Sequence, residues 1–153
     1  MATLKPGDFA PDFSLKSDAG TLVSLKALKG RRVVLYFYPK DDTPGCTKQA
    51  CEYRDLAGQF DRKNAVVLGV SGDGLGSHEA FKKKFGLNFP LLCDEDRKVH
   101  ELFGAWGEKT VYGKTTVGAI RTTVVIDELG KIVSWDKAVK PEGDAKRVLE
   151  LIK

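Results

Sequence analysis

Apolar positions along this chain fall into short runs and helical stripes that alternate. Residues 33–38 are continuously apolar or aromatic, the pattern of a strand covered on both faces, and Pro39 ends the run. The period changes over residues 43–60. There Ala50, Tyr53, Leu56, Ala57 and Phe60 recur at three- and four-residue steps, which predicts a helix with one buried face. Residues 65–71 read as a second buried strand and 89–93 as a short one. Between them Ser77 offers an N-cap for a helix reaching Phe85, with Gly86 as its stop. Residues 97–103 predict a short helix stopped by Gly104. Residues 143–153 predict a final helix with Val148, Leu149 and Ile152 on one face. Two hairpins complete the pattern, 13–16 with 21–25 and 121–126 with 131–136, each around a turn-forming segment that contains glycine. Residues 105–119 are glycine-rich, show no clear period and read as a loop.

This order predicts an α/β fold with a mixed central sheet flanked by helices and an N-terminal hairpin. The succession resembles that of a thioredoxin-like domain. No repeat, low-complexity stretch or linker divides the chain, so residues 1–153 are expected to form one domain. With 42% hydrophobic and 30% charged residues the composition is globular, which argues against a disordered chain or a collagen. No apolar run approaches the ~20 residues of a spanning helix. Twenty-five basic against 21 acidic residues give +4, too mild a surplus to predict nucleic-acid binding. The N-terminus carries no signal- or transit-peptide pattern. Three cysteines do not make a disulfide scaffold, and they fit a reducing compartment such as the cytoplasm.

The chemistry concentrates in residues 38–51, Tyr-Pro-Lys-Asp-Asp-Thr-Pro-Gly-Cys-Thr-Lys-Gln-Ala-Cys. A buried strand delivers the chain to a sheet edge, and a helix starts near Thr43 or Pro44. Proline is tolerated in a first turn because its missing N–H would be unpaired there. Cys46 then lies where unpaired backbone N–H groups and the positive end of the helix dipole favour thiolate over thiol. A thiolate is the nucleophilic form. Thr43 adds a hydroxyl three residues earlier, able to donate to a substrate oxygen or to the sulfur. The plainer alternative is an inert structural cysteine. It is weakened because Cys46 follows Pro-Gly at a helix start rather than sitting among leucines.

Cys51 lies five residues on, in the same predicted helix. Five residues turn about 500° and rise about 7.5 Å, so the two side chains diverge and their Cα atoms stand beyond disulfide range. The two could bond only if that segment unwound. Spacing alone leaves Cys51 evenly balanced between a partner for Cys46 and a packed apolar residue.

Pro39-x-x-x-Thr43-x-x-Cys46 resembles the peroxiredoxin active-site pattern, and residues 43–51 resemble its bacterioferritin-comigratory-protein branch, also called PrxQ. The resemblance extends over nearly the whole chain, including residues 6–13, 34–47, 106–109 and 118–127. It implies a thiol-dependent peroxidase that reduces hydrogen peroxide and alkyl hydroperoxides and works without a cofactor or metal. Cys46 matches the peroxidatic cysteine, Thr43 the residue that binds the peroxide oxygens, and Pro39 the residue that shields the sulfur from water. Arg121 matches the active-site arginine, whose permanent charge stabilises the thiolate and the breaking O–O bond. Without the resemblance it reads as a surface charge opening a strand. Gln49 matches the position that orients this arginine. Cys51 matches the resolving cysteine of an intramolecular disulfide, reopened by thioredoxin or a similar dithiol. The resemblance also implies a monomer.

Cys93 reads as a small buried residue at a strand end, with an alternative resolving cysteine as the sharper possibility. His78 and His100 read as ordinary surface helix residues. Together with the cysteines they lack zinc-site spacing. Gly72-Asp73-Gly74-Leu75-Gly76 falls short of a dinucleotide loop because Ser77 stands where the third glycine belongs. Lys82-Lys83-Lys84 reads as a solvated helix face. Two rival functions remain, a thioredoxin-type disulfide oxidoreductase, which the missing Cys-x-x-Cys disfavours, and a non-catalytic binding domain.

Overall fold

The computed structural model describes residues 4–152. The first three residues, and Lys153 at the end of the predicted last helix, lie outside them. The chain runs β1 (Ser14–Ser17), β2 (Leu22–Ser24), a short 3-10 turn (Lys26–Leu28), β3 (Arg32–Phe37), α1 (Pro44–Arg62), β4 (Ala65–Ser71), α2 (Leu75–Phe85), β5 (Leu91–Cys93), α3 (Lys98–Leu102), β6 (Trp106–Val111), β7 (Lys114–Ala119), β8 (Thr122–Ile126), β9 (Ile132–Lys137) and α4 (Asp144–Leu151).

Seven strands form one mixed sheet in the order β2-β1-β5-β4-β3-β8-β9. Strand β3 pairs parallel with β4 and antiparallel with β8, and β4 pairs parallel with β5. Strand β3 is central and buried on both faces, as its apolar run predicts. Its alternate residues divide between two cores. Val34, Tyr36 and Tyr38 face a cluster with Cys46, Ala50, Tyr53 and Phe60 of α1, Phe81 of α2, and Ala145, Val148 and Leu149 of α4. Val33, Leu35 and Phe37 face the opposite cluster, with Val99 and Phe103 from the α3 region and Phe13 ahead of β1. Helices α1, α2 and α4 therefore cover one face. Tyr36 stacks on Tyr53 with ring centroids 4.7 Å apart, which locks β3 against the middle of α1.

Three expectations are corrected. Residues 105–119 are not a loop, because β6 and β7 form a separate antiparallel hairpin. Its turn is Tyr112-Gly113, both at positive φ, as a two-residue hairpin turn of this hand requires. The described residues of β7 are mostly exposed, so no buried face imposes an apolar alternation on the sequence. Helix α2 starts two residues before Ser77, with Gly74 at its N-cap, and Gly86 ends it in the left-handed conformation. His78 and His100 are fully buried rather than surface residues, each with a ring nitrogen on a buried aspartate.

Candidate active site

The topology assembles the site at one sheet edge. Phe37 at the end of β3 stands opposite Thr122 at the start of the antiparallel β8. Arg121 precedes Thr122 and therefore sits where β3 hands the chain to the loop leading into α1. Its carbonyl accepts the Val139 N–H at 3.0 Å, which fixes the backbone there. Helix α1 starts at Pro44 after Thr43, whose extended backbone (φ −106°, ψ 155°) is that of an N-cap residue. The first intrahelical bond runs from the Thr47 N–H to the Thr43 carbonyl at 2.8 Å. The Gly45 and Cys46 N–H groups precede that first bond, in the turn that carries Cys46.

Cys46 is 1% exposed. Arg121 Nη2 donates to its Sγ at 3.5 Å, and Arg121 Nη1 donates to Gln49 Oε1 at 2.7 Å. Gln49, one turn on from Cys46, is itself fully buried. Three of the residues singled out in the sequence thus meet directly. Gly45 makes room for the guanidinium, since a Cβ there would stand 3.3 Å from Arg121 Nη2 and 3.4 Å from Pro141 Cγ.

Thr43 and Pro39 both lie in the β3–α1 connection, partly buried. The Thr43 hydroxyl donates to the Lys40 carbonyl at 2.8 Å. The expected donation to a substrate oxygen or to the sulfur is therefore not made in this conformation. Committing the proton to a carbonyl leaves the oxygen lone pairs free to accept from a hydroperoxide O–H. Cys51 lies within the same intact helix as Cys46, partly buried, and all three cysteines are free thiols. Cys93 ends β5 away from this group. Burial pushes its thiol up to about 11, helped by the neighbouring Glu95 and Asp41 charges.

Two of the buried carboxylates that sequence reasoning missed, Asp144 and Asp41, lie beside this group. Asp144, the first residue of α4, accepts from Gln49 Nε2 at 3.1 Å, Tyr53 OH at 2.8 Å, Thr123 Oγ1 at 2.7 Å and Arg147 Nη2 at 2.7 Å. Asp41, in the loop before α1, accepts from Tyr38 OH at 2.6 Å, Ser77 Oγ at 2.8 Å and His78 Nδ1 at 2.7 Å. Its own N–H donates to Asp73 Oδ2 at 2.8 Å. Burial disfavours the charged His78 ring, but the Asp41 hydrogen bond and charge outweigh it and hold the imidazolium above its usual pKa. Only the acid at the start of the last helix gave a local signal for Asp144, and nothing local marked Asp41.

Ligand-type atoms of Asp41, Asp73 and His78 lie within 4.8 Å of one another. These atoms already bond to one another or to the Asp41 N–H and Ser71 Oγ, so a cation would have to displace an existing network. No described helix is long and apolar enough to cross a membrane.

Known proteins resemble this chain in sequence and in fold. The AhpC/TSA family model matches residues 6–135. The putative peroxiredoxin bcp of Helicobacter pylori is 48% identical over 150 residues, covering 98% of this chain and 99% of that protein. Peroxiredoxin Bcp of Bacillus subtilis is 42% identical over 151 residues, covering 99% and 96%. The bacterioferritin comigratory protein of Xanthomonas campestris superposes with a TM-score of 0.89 at 37% identity, over 99% of this chain and 97% of that one. A mutant of Xylella fastidiosa PrxQ superposes with a TM-score of 0.91 at 36% identity, over 98% and 96%. The mixed sheet flanked by helices is accordingly the expected thioredoxin-like fold. By the match over most of its length and its identity to these relatives, the chain belongs to the AhpC/TSA family, as a peroxiredoxin of the Bcp/PrxQ branch.

Proposed function

We propose that Cys46 is the peroxidatic cysteine of a thioredoxin-dependent, atypical 2-Cys peroxidase, and that Cys51 resolves it. The observation that carries this reading is the Arg121 guanidinium 3.5 Å from a Cys46 sulfur at a helix N-terminus, with its other nitrogen held by Gln49. The Cys46 thiolate attacks one oxygen of a hydroperoxide and forms an S–O bond. The O–O bond breaks, and the departing oxygen takes a proton to leave as water or an alcohol. Arg121 stabilises the charge that develops on that oxygen, Thr43 orients the substrate, and Pro39 limits water at the sulfur. Hydrogen peroxide and alkyl hydroperoxides are the substrates. The alkyl peroxide reduction activity described for the Xanthomonas campestris relative supports the second class.

The sulfenic acid on Cys46 is then attacked by the Cys51 thiol, which expels water and leaves a disulfide. Both residues lie within α1, so its first turns must unwind for the sulfurs to meet. The raised Cys93 thiol disfavours it as the attacking group, because the thiolate is the nucleophile. A thioredoxin-type dithiol returns two electrons and two protons. Resolution within one chain makes no demand on a second copy, so the protein works as a monomer. The mild net charge supports no nucleic-acid role, and the free thiols fit the cytoplasm.

The test is peptide mapping after one equivalent of hydroperoxide, alongside Cys46→Ser. A Cys46–Cys51 link, and no peroxide consumption by the variant, is the expected result. A Cys46–Cys93 link would overturn the resolving assignment, and full activity in the variant would overturn the whole reading.

A further inference from the structure

Asp144 takes no part in the chemistry above, yet it is 2% exposed and receives four hydrogen bonds. Three of the donors, Gln49, Tyr53 and Thr123, are fully buried. They come from α1 and β8, while Arg147 comes from the next turn of α4 and also donates to Asp136 of β9 at 2.7 Å. The Gly143 N–H, just before Asp144, donates to Glu52 Oε1 at 2.8 Å and ties the start of α4 to α1. The carboxylate is thus held from all sides.

Its position decides an ambiguity further along. A glutamine side chain has a donating end and an accepting end, and only its surroundings choose which way it points. A carboxylate can only accept. Asp144 Oδ2 therefore draws the Gln49 NH2 group toward itself at 3.1 Å, and Gln49 Oε1 is left facing Arg121 Nη1 at 2.7 Å. Turned the other way, Gln49 would set its carbonyl against a carboxylate and its NH2 against a guanidinium, which is repulsive at both ends. With Nη1 held, the rigid guanidinium fork aims Nη2 at Cys46 Sγ.

We propose that Asp144 is a positioning residue for peroxide reduction. It fixes the Gln49 amide and, through it, the orientation of Arg121 over Cys46. The inference rests on Cys46 being the peroxidatic cysteine. It makes the start of the C-terminal helix part of the apparatus that sets the rate at a sulfur 98 residues earlier in the chain.

The decisive variant is Asp144→Asn, nearly isosteric but carrying an NH2 that must face either Arg147 or the three donors on Oδ2. The readout is the ratio of two second-order rate constants at Cys46, one for hydrogen peroxide and one for iodoacetamide. Both rates are read at a pH on the plateau of each protein's alkylation profile, where the thiol is fully ionised; there peroxide still needs Arg121 aimed at the breaking O–O bond, whereas the alkylating reagent needs only an accessible thiolate. The peroxide rate is expected to fall about ten- to a hundredfold, because small misplacements of an aimed group cost that much. The alkylation rate should change less than about threefold on the same argument. Adding Gln49→Glu to Asp144→Asn should restore much of the peroxide rate, since a carboxylate at 49 accepts from both the asparagine amide and Arg121. Should Asp144→Asn not fold, Gln49→Met cuts the same link while leaving Asp144 its other donors, and the same fall in the ratio is expected.

An unchanged ratio in folded Asp144→Asn, or in Gln49→Met, overturns the proposal. A parallel loss of both rates overturns it too, since that marks general damage. Wild-type protein whose Cys46 does not react with peroxide would instead overturn the assignment of Cys46.

Discussion

Two buried aspartates flank the start of α1, and they do different work with the same chemistry. Asp41 gathers a tyrosine, a serine and a histidine, and the network closes on itself. His78 Nε2 faces the Leu92 carbonyl at 2.9 Å, and the Asp41 N–H ends on Asp73. Asp144 gathers a glutamine, a tyrosine, a threonine and an arginine, but one branch runs outward through Gln49 and Arg121 and stops at a sulfur. A closed network of satisfied buried groups fixes structure, here binding the β3–α1 loop to α2 and β5. A network that ends on the Cys46 sulfur is the one that bears on the proposed chemistry. The difference teaches that burial and hydrogen bonding alone do not mark an active site. What marks it is a chain of donors whose last member points at a reactive atom.

Breaking the closed network should show first as lost stability. Removing the imidazole with His78→Ala leaves Asp41 without its charged partner, and loss of one member of a buried pair costs about 3–5 kcal/mol. Urea unfolding should show that loss, while the protein that remains folded keeps its peroxide rate within a few-fold. A variant with wild-type stability would contradict the structural role given to this cluster.

Breaking the open network should show as lost rate. Arg121→Ala should slow peroxide reduction by about 10²–10³, the cost of removing one donor to a developing oxyanion. Because Arg121 is only partly buried, the urea midpoint should move little. Stopped-flow rates and unfolding curves on the same sample separate the two effects. A large stability loss with an intact rate would exchange the roles assigned to the two networks.

The smallest effect is a pH slope that only the Asp41 side produces. The His78 pKa is raised in the folded protein, so the native state holds its proton where the unfolded chain has released it. Its contribution is complete below the unfolded value of about 6.5 and is lost as pH rises through the higher folded value. Melting temperature should therefore decline as pH rises above neutrality, and His78→Gln should remove that component of the decline. Equal slopes in the two proteins would mean that His78 is neutral in the fold.

Local pattern made much of the molecule legible. The apolar run of β3 and the helical stripe of α1 depend on neighbours a few residues away, and both formed close to their expected bounds. The Pro-Gly-Cys helix start by itself places Cys46 in the first turn. The hairpin over residues 105–119 escaped because apolar alternation reveals a strand only where one face is buried. The histidines escaped for the opposite reason. Histidine is common on surfaces, and its burial here depends on aspartates at 41 and 94 that no periodicity links to it.

By itself the sequence determined the order of most elements, the placing of a cysteine at a helix N-terminus, and the separation of Cys46 and Cys51 within one helix beyond disulfide range. These follow from periodicity and backbone geometry, which act over a few residues. Only the tertiary structure decided that Arg121, 75 residues after Cys46, would lie against its sulfur. It also decided that Asp144, 95 residues after Gln49, would set the direction of that amide. Polar contacts of this range carry no local signature, because any acid or arginine can satisfy them. Which one does so is settled when strand pairing and helix packing bring distant segments to the same sheet edge.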